Sequence, residues 1–168
     1  GDYIYVDKTK LIAELIEGKY YFLSRPRRFG KSLLVDTLKQ IFLGNKELFK
    51  GLWIENQIDW QPYPVIHIDF SGTGYKSSGL PEAISGMMER EAAHHGMQLT
   101  ERTYDQKFRE LVVKLSEKGQ VVILIDEYDK PIIDYLDNIP QAVENREILK
   151  TFYSPVKPLD PYLKFVLI

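Results

Sequence analysis

Cysteine is absent from the 168 residues of this chain, which excludes disulfides, thiolate metal sites and a cysteine nucleophile and fits a reducing compartment. No apolar run approaches the ~20 residues of a membrane span, and Gly1-Asp2-Tyr3 does not open a signal peptide. A soluble, cytoplasmic protein with no membrane partner is therefore expected. Internal repeats and low-complexity stretches are also missing. What remains is one ordinary domain, 44% hydrophobic and 27% charged, of a size that buries roughly two thirds of its unfolded surface without staples.

The formal charge of −2 conceals an asymmetry. Residues 1–50 carry 10 basic and 6 acidic side chains, residues 51–100 carry 2 and 6, and residues 101–150 carry 8 and 11. The early surplus is concentrated in Arg25, Arg27, Arg28 and Lys31. So local a cluster points to one anionic ligand rather than to duplex nucleic acid, which needs several spaced phosphate contacts.

Periodicity supplies the organisation. Leu11, Ile12, Leu15 and Ile16 form a helical stripe that stops at Gly18, and Tyr20-Tyr21-Phe22-Leu23 reads as a short buried strand. A loop with Pro26 and Gly30 follows, then a helix from Lys31 to Gly44 through Leu34, Leu38, Ile41 and Phe42. Val65 to Phe70 is predicted as a second strand, Leu80 to about His95 as a helix closed by Gly96, and Phe108 to Leu115 as a helix ended by Gly119. Val121 to Ile125 is the strongest strand signal, since five aliphatic residues in a row imply burial on both faces of a parallel sheet. A helix near Gln141 to Tyr153 and a strand over Leu163–Ile168 complete an α/β pattern. Ending inside a strand, residues 1–168 are expected to be the N-terminal fragment of a longer protein.

Strand, loop, and helix opening with Gly30-Lys31-Ser32 is the context that the phosphate-loop motif G-x-x-x-x-G-K-[ST] requires. Successive loop N–H groups make an anion-binding concavity, and the helix adds its positive end. The phosphate-binding segment is read as Arg27, Arg28, Phe29, Gly30, Lys31, Ser32 and Leu33. Gly30 admits close approach of the backbone, Lys31 reaches the β- and γ-phosphates as a catalytic charge, and the Ser32 hydroxyl is placed to hold Mg²⁺. Arg25 occupies the position of the motif's first glycine, and Pro26 stiffens the next step. The plainer alternative is a basic turn capping a helix.

Asp126 and Glu127 follow the strongest strand, at the sheet edge where ligands sit in open α/β folds. Asp126 is the candidate metal holder and Glu127 the candidate catalytic base for the attacking water. Taken alone, the pair could equally be a solvated strand end or helix cap.

Tyr5-Val6-Asp7-Lys8-Thr9, Arg25-Pro26-Arg27-Arg28-Phe29-Gly30-Lys31-Ser32 and Leu124-Ile125-Asp126-Glu127-Tyr128-Asp129-Lys130-Pro131 resemble signature segments of the AAA-ATPase-like proteins of bacteria and archaea. The resemblance implies a three-layer αβα P-loop NTPase core with a mainly parallel sheet, cut after its fourth core strand, with Leu163–Ile168 between the strands ending at Ser24 and Asp126. It implies ATP and Mg²⁺ as cofactors and a possible homo-oligomer. It also implies a possible nuclease-like domain further along, and contact with nucleic acid only through regions outside these residues. The γ-phosphate sensor and any arginine finger would lie beyond Ile168. Two functions are in play: an Mg²⁺-dependent ATPase whose turnover drives a conformational switch in the full-length protein, and a nucleotide-gated binding module that hydrolyses nothing.

Other residues are read more plainly. His67 is expected to be a packed or hydrogen-bonded core histidine, and adjacent His94 and His95 cannot face one metal from the same side of a helix. Tyr3, Ile4 and Tyr5 are read as core packing ahead of the wall of a base pocket that the resemblance implies, Asp129 as a cap ahead of a contact to the nucleotide region, and Trp53 and Trp60 as pins for a connecting segment. Glu17-Gly18-Lys19 and Asp105-Gln106-Lys107 match the short nuclease pattern [DE]-x-K, but neither follows a strand that supplies a metal-binding Asp, so nuclease activity is rejected for these residues.

Overall fold

The run Val121 to Ile125 has nothing to offer to solvent, and in the computed structural model it forms a strand in which every residue is buried. The structure describes residues 7–23, 31–72 and 74–168. Among them, one parallel sheet runs in the order β1 (Tyr20–Tyr21), β4 (Leu163–Leu167), β3 (Val121–Asp126), β2 (Val65–Asp69). The fourth strand therefore lies between the first and the third, as the resemblance implies. Parallel neighbours need crossovers, and helices supply them. After α1 (Thr9–Glu17), which precedes β1, these are α2 (Lys31–Phe42), α3 (Tyr75–Ser78), α4 (Leu80–His94), α5 (Tyr104–Leu115), α6 (Lys130–Ile133) and α7 (Ile139–Tyr153).

Alternation along the strands divides the core into two. Ile66, Ile68, Val121, Ile123 and Ile125 pack with residues of α4, α5 and α7, including Ile84, Met88, Leu111 and Phe152. Val65, Val122, Leu124, Phe165 and Leu167 face the other way, onto Val35, Leu38 and Phe42 of α2. The result is the expected three-layer αβα arrangement. The same alternation sends Asp126 to the α2 side, together with His67 and Asp69 of β2. A third cluster, Ala13, Ile41, Phe49 and Ile54, fixes a connecting arm with two 3-10 turns (Lys46–Phe49 and Trp53–Asn56) against α1 and α2.

The elements differ from expectation mainly at their ends. α2 stops at Phe42 because Gly44 turns to φ +82°, where an added Cβ would also lie 3.0 Å from Trp60 O. Regular β1 covers only Tyr20–Tyr21, although the Leu23 N–H still donates to Ile168 O at 2.7 Å. Phe70 leaves β2 for a 3-10 turn in which Asp69 Oδ1 accepts the Ser71 N–H at 2.8 Å. Trp60 pins the arm through its ring, 5.1 Å from Phe49, and through Nε1–H donated to Glu55 O. Trp53 does so only through its backbone, since its side chain stays largely outside.

The packing sets the cost of two substitutions. Phe152 is fully buried, 4.6 Å from the Phe108 ring and 6.3 Å from the Phe70 ring; Phe152→Ala should cost about 3–5 kcal/mol in denaturant unfolding. At Glu110, burial alone would raise the pKa, but hydrogen bonds prevail. Its carboxylate accepts the Thr100 and Glu101 N–H groups and the Thr100 hydroxyl, with Lys114 Nζ at 3.0 Å, and these hold it at about 2. A depressed carboxylate contributes stability above its unfolded pKa and loses it as pH falls through the folded value. Glu110→Gln should therefore weaken the fold at pH 7 and flatten the fall in stability between pH 4.5 and 2, read from urea titrations across that range.

Candidate functional site

The carboxyl ends of the parallel strands and the first turn of α2 meet at one edge of the sheet. α2 begins at Lys31, so Ser32 and Leu33 lie in the turn whose N–H groups lack helical partners. Ser32 Oγ lies 3.4 Å from Asp126 Oδ2, a long contact that joins residues 94 apart in sequence. Asp126 is only 5% exposed, and its Oδ1 has no hydrogen-bond partner among the described residues. A buried carboxylate oxygen left unpaired carries a desolvation penalty that a cation would relieve. Arg25, Pro26, Arg27, Arg28, Phe29 and Gly30 lie outside the described residues, as do the side chain of Lys31 and the aromatic segment Tyr3, Ile4 and Tyr5.

Glu127 leaves the strand in a left-handed conformation, φ 56°, the one such non-glycine residue among those described. That conformation is uncommon for a side chain of this kind and carries local strain. It turns the chain out of the strand direction that Asp126 follows, and the Glu127 carbonyl accepts the Lys130 N–H at 3.2 Å to start α6. Asp129 occupies the cap position of α6 but makes no side-chain capping bond; only its carbonyl takes part, accepting from Ile132 and Ile133. The capping role read for its side chain is thus corrected.

Sequence reasoning passed over one neighbour of this edge, Asp69. The β2–β3 register places Asp69 directly beside Asp126, a relation that no local pattern reveals. His67, two residues earlier on the same face, has a sheltered Nε2 with no hydrogen-bond partner among the described residues, so at that nitrogen the ring packs rather than bonds. Burial, then nearby Lys39, pushes its pKa down and favours the neutral ring. Beyond α2's outer face, a groove of about 720 Å³ opens between α1, α2 and the arm, with Leu11, Leu33 and Leu48 each more than 60% exposed around it.

Other candidate groups have local explanations. Lys107 is buried on α5 and paired with Glu89 of α4 at 2.7 Å. Lys19 donates to Asp160 O at 2.9 Å, and His95 Nε2 lies 3.2 Å from Val65 O. No helix among the described residues is long and apolar enough to cross a membrane.

A parallel sheet with α2 opening beside a buried strand-end aspartate is the arrangement that a P-loop nucleotide-binding domain requires. The family model described as a predicted AAA-ATPase matches residues 1–168, and the chain belongs to this AAA-ATPase-like family. It is 41% identical over 172 residues to an uncharacterized protein in the vnfD 5′ region of Azotobacter chroococcum mcd 1. That match takes in 99% of this chain and 33% of the relative, so the chain spans about a third of the relative's length. No solved structure matches it.

The unpaired Asp126 oxygen gives a direct test. Asp126→Asn keeps the shape and an acceptor for Ser32 while removing the buried charge. In the absence of nucleotide and divalent metal, the variant should be more stable by about 1–2 kcal/mol, measured by thermal unfolding.

Proposed function

We propose that this domain binds ATP with Mg²⁺ and, in the full-length protein, hydrolyses it to drive a conformational switch. The observation that carries the reading is the approach of Ser32 at the head of α2 to the buried Asp126 at the end of β3. Triphosphate oxygens would take the N–H groups of the Arg27–Leu33 segment, with Lys31 as the close countercharge and Arg27 and Arg28 supplying further positive charge. Ser32 and Asp126 would hold the metal. The donor set fits Mg²⁺, which completes its shell from phosphates and water rather than from an all-protein cage. Among the described residues, no group of three or more His, Asp or Glu is arranged as such a cage. The bound ion supplies charge neutralisation on the phosphates.

Glu127 is the proposed general base. The backbone turn at this residue separates the two acids, which would leave Asp126 to hold the metal and Glu127 to orient and deprotonate water. The apolar groove beside Leu33 would take the nucleoside, since an aromatic base gains most where leucines otherwise remain exposed to water. The turn after Glu127 leads into α6, where Asp134 accepts from both the Tyr75 hydroxyl and Lys130. A change at Glu127 thus has a mechanical route to the segment that follows β2.

Saturating Mg-ATP, at a hundred times its dissociation constant, should add ~2.7 kcal/mol and raise the unfolding midpoint by roughly 5–11 °C. Lys31→Ala should abolish that rise; a rise that persists in the variant contradicts the site. In the full-length protein, Glu127→Gln should retain Mg-ATP binding and lower turnover about a hundredfold or more, on the order expected for loss of a general base. Absence of turnover in the unaltered full-length protein would leave the binding-only module as the function.

A further inference from the structure

The segment Tyr5-Val6-Asp7-Lys8-Thr9 is one of the three that carry the family resemblance, yet the proposed phosphate and metal chemistry uses none of it. Two of its residues tie the start of α1 to the connecting arm. Asp7 Oδ1 accepts the Thr9 N–H at 2.9 Å and the Thr9 hydroxyl at 2.6 Å, while Asp7 Oδ2 accepts the Trp53 N–H at 2.5 Å. Thr9 Oγ1, almost wholly buried, accepts the Ile54 N–H at 3.2 Å. The Trp53 and Ile54 donors are the leading N–H groups of the second 3-10 turn of the arm. One carboxylate and one hydroxyl therefore satisfy the start of α1 and the start of a turn some 45 residues later. The bond from the Thr9 hydroxyl, then those from the Trp53 and Thr9 N–H groups, holds the Asp7 carboxyl below the usual range, so the clasp is charged at neutral pH.

This clasp stands at one wall of the groove, with Thr9 itself among the lining residues and Asp7 outside them. The arm contributes Leu48, Phe49 and Leu52 to the opening, α1 contributes Leu11 and Ile12, and α2 contributes Leu33. Ile54, whose N–H the clasp takes, is fully buried with Phe49, Ala13 and Ile41, so fixing its backbone fixes the position of the arm over both helices. We infer that Asp7 and Thr9 are positioning residues that set the width of this groove and thereby the share of nucleotide affinity contributed by the nucleoside. The inference rests on the groove being the nucleoside site. Hydrogen-bonded clasps of this kind raise affinity by pre-ordering the wall, since a wall that must be ordered on binding takes its entropy from the binding free energy.

The test compares ATP with inorganic tripolyphosphate, each with Mg²⁺, by titration calorimetry on the full-length protein. The unaltered protein should bind ATP more tightly than tripolyphosphate by at least tenfold, about 1.4 kcal/mol; equal affinities overturn the nucleoside reading of the groove, and the inference with it. Given that difference, Thr9→Val should weaken ATP about tenfold and leave tripolyphosphate within about twofold, whereas Thr9→Ser, which keeps the hydroxyl, should restore ATP binding. Asp7→Asn provides the second variant, because its amide can accept from Thr9 but presents a donor to the Trp53 N–H. Unchanged ATP affinity in both variants, or equal loss of ATP and tripolyphosphate, overturns the inference while leaving the groove reading intact.

Discussion

A strand buried on both faces can exist only where two helical layers meet, and β3 imposes that condition on everything around it. Its odd and even residues commit to opposite cores, one with α4, α5 and α7 and the other with α2. Polarity is admitted only at its last position, where Asp126 continues the row of Val122 and Leu124 toward α2. The approach of Ser32 to that carboxylate is thus a consequence of strand parity. A shift of one residue in the register of β3 would turn Asp126 into the opposite core and misplace its apolar neighbours. The packing that stabilises the domain and the placement of the acid are one constraint.

The electrostatics of the edge follow from the same geometry. Basic residues cluster in the sequence just before α2 and acidic residues at the ends of β2 and β3, and folding brings the head of α2 to the strand-end acid. Asp126 is held in a sheltered position with one oxygen unpaired among the described residues, and the adjacent Glu127 occupies a strained backbone region. Departures from local comfort at two successive residues fit a site that keeps stability in reserve for a ligand.

Much of this was legible in the residues. The strand at Val121 declared itself by its length of aliphatic sequence, and α2 and α4 by apolar spacing closed at Gly44 and Gly96. Ser32 and Asp126 could be linked in advance because a strand–loop–helix unit and a later strand-end acid belong to one motif pair. By contrast, α3 and α6 have four residues each, about one helical turn, which is too short for a periodic signal. The neighbour relation of Asp69 and Asp126 depends on which strands pair and in what register. The partners of Asp7 and Thr9 are backbone N–H groups 46 and 45 residues away, and a backbone donor leaves no mark in a sequence.

The central place of β4 governs how the molecule comes into being. β1 and β3 are not neighbours in the sheet; each pairs with β4, the last of the four to emerge during synthesis. Until Leu163–Leu167 has cleared the ribosome, β1 and β3 each keep an open, pairing-competent edge, and the packing of α2 on Val122 and Leu124 is what links their segments. The closing strand joins them across more than 140 residues of sequence, an arrangement of high contact order that folds slowly. Pairing of β4 covers the inner edges of β1 and β3 together, so the sheet around Asp126 has its full order only once that strand is in place.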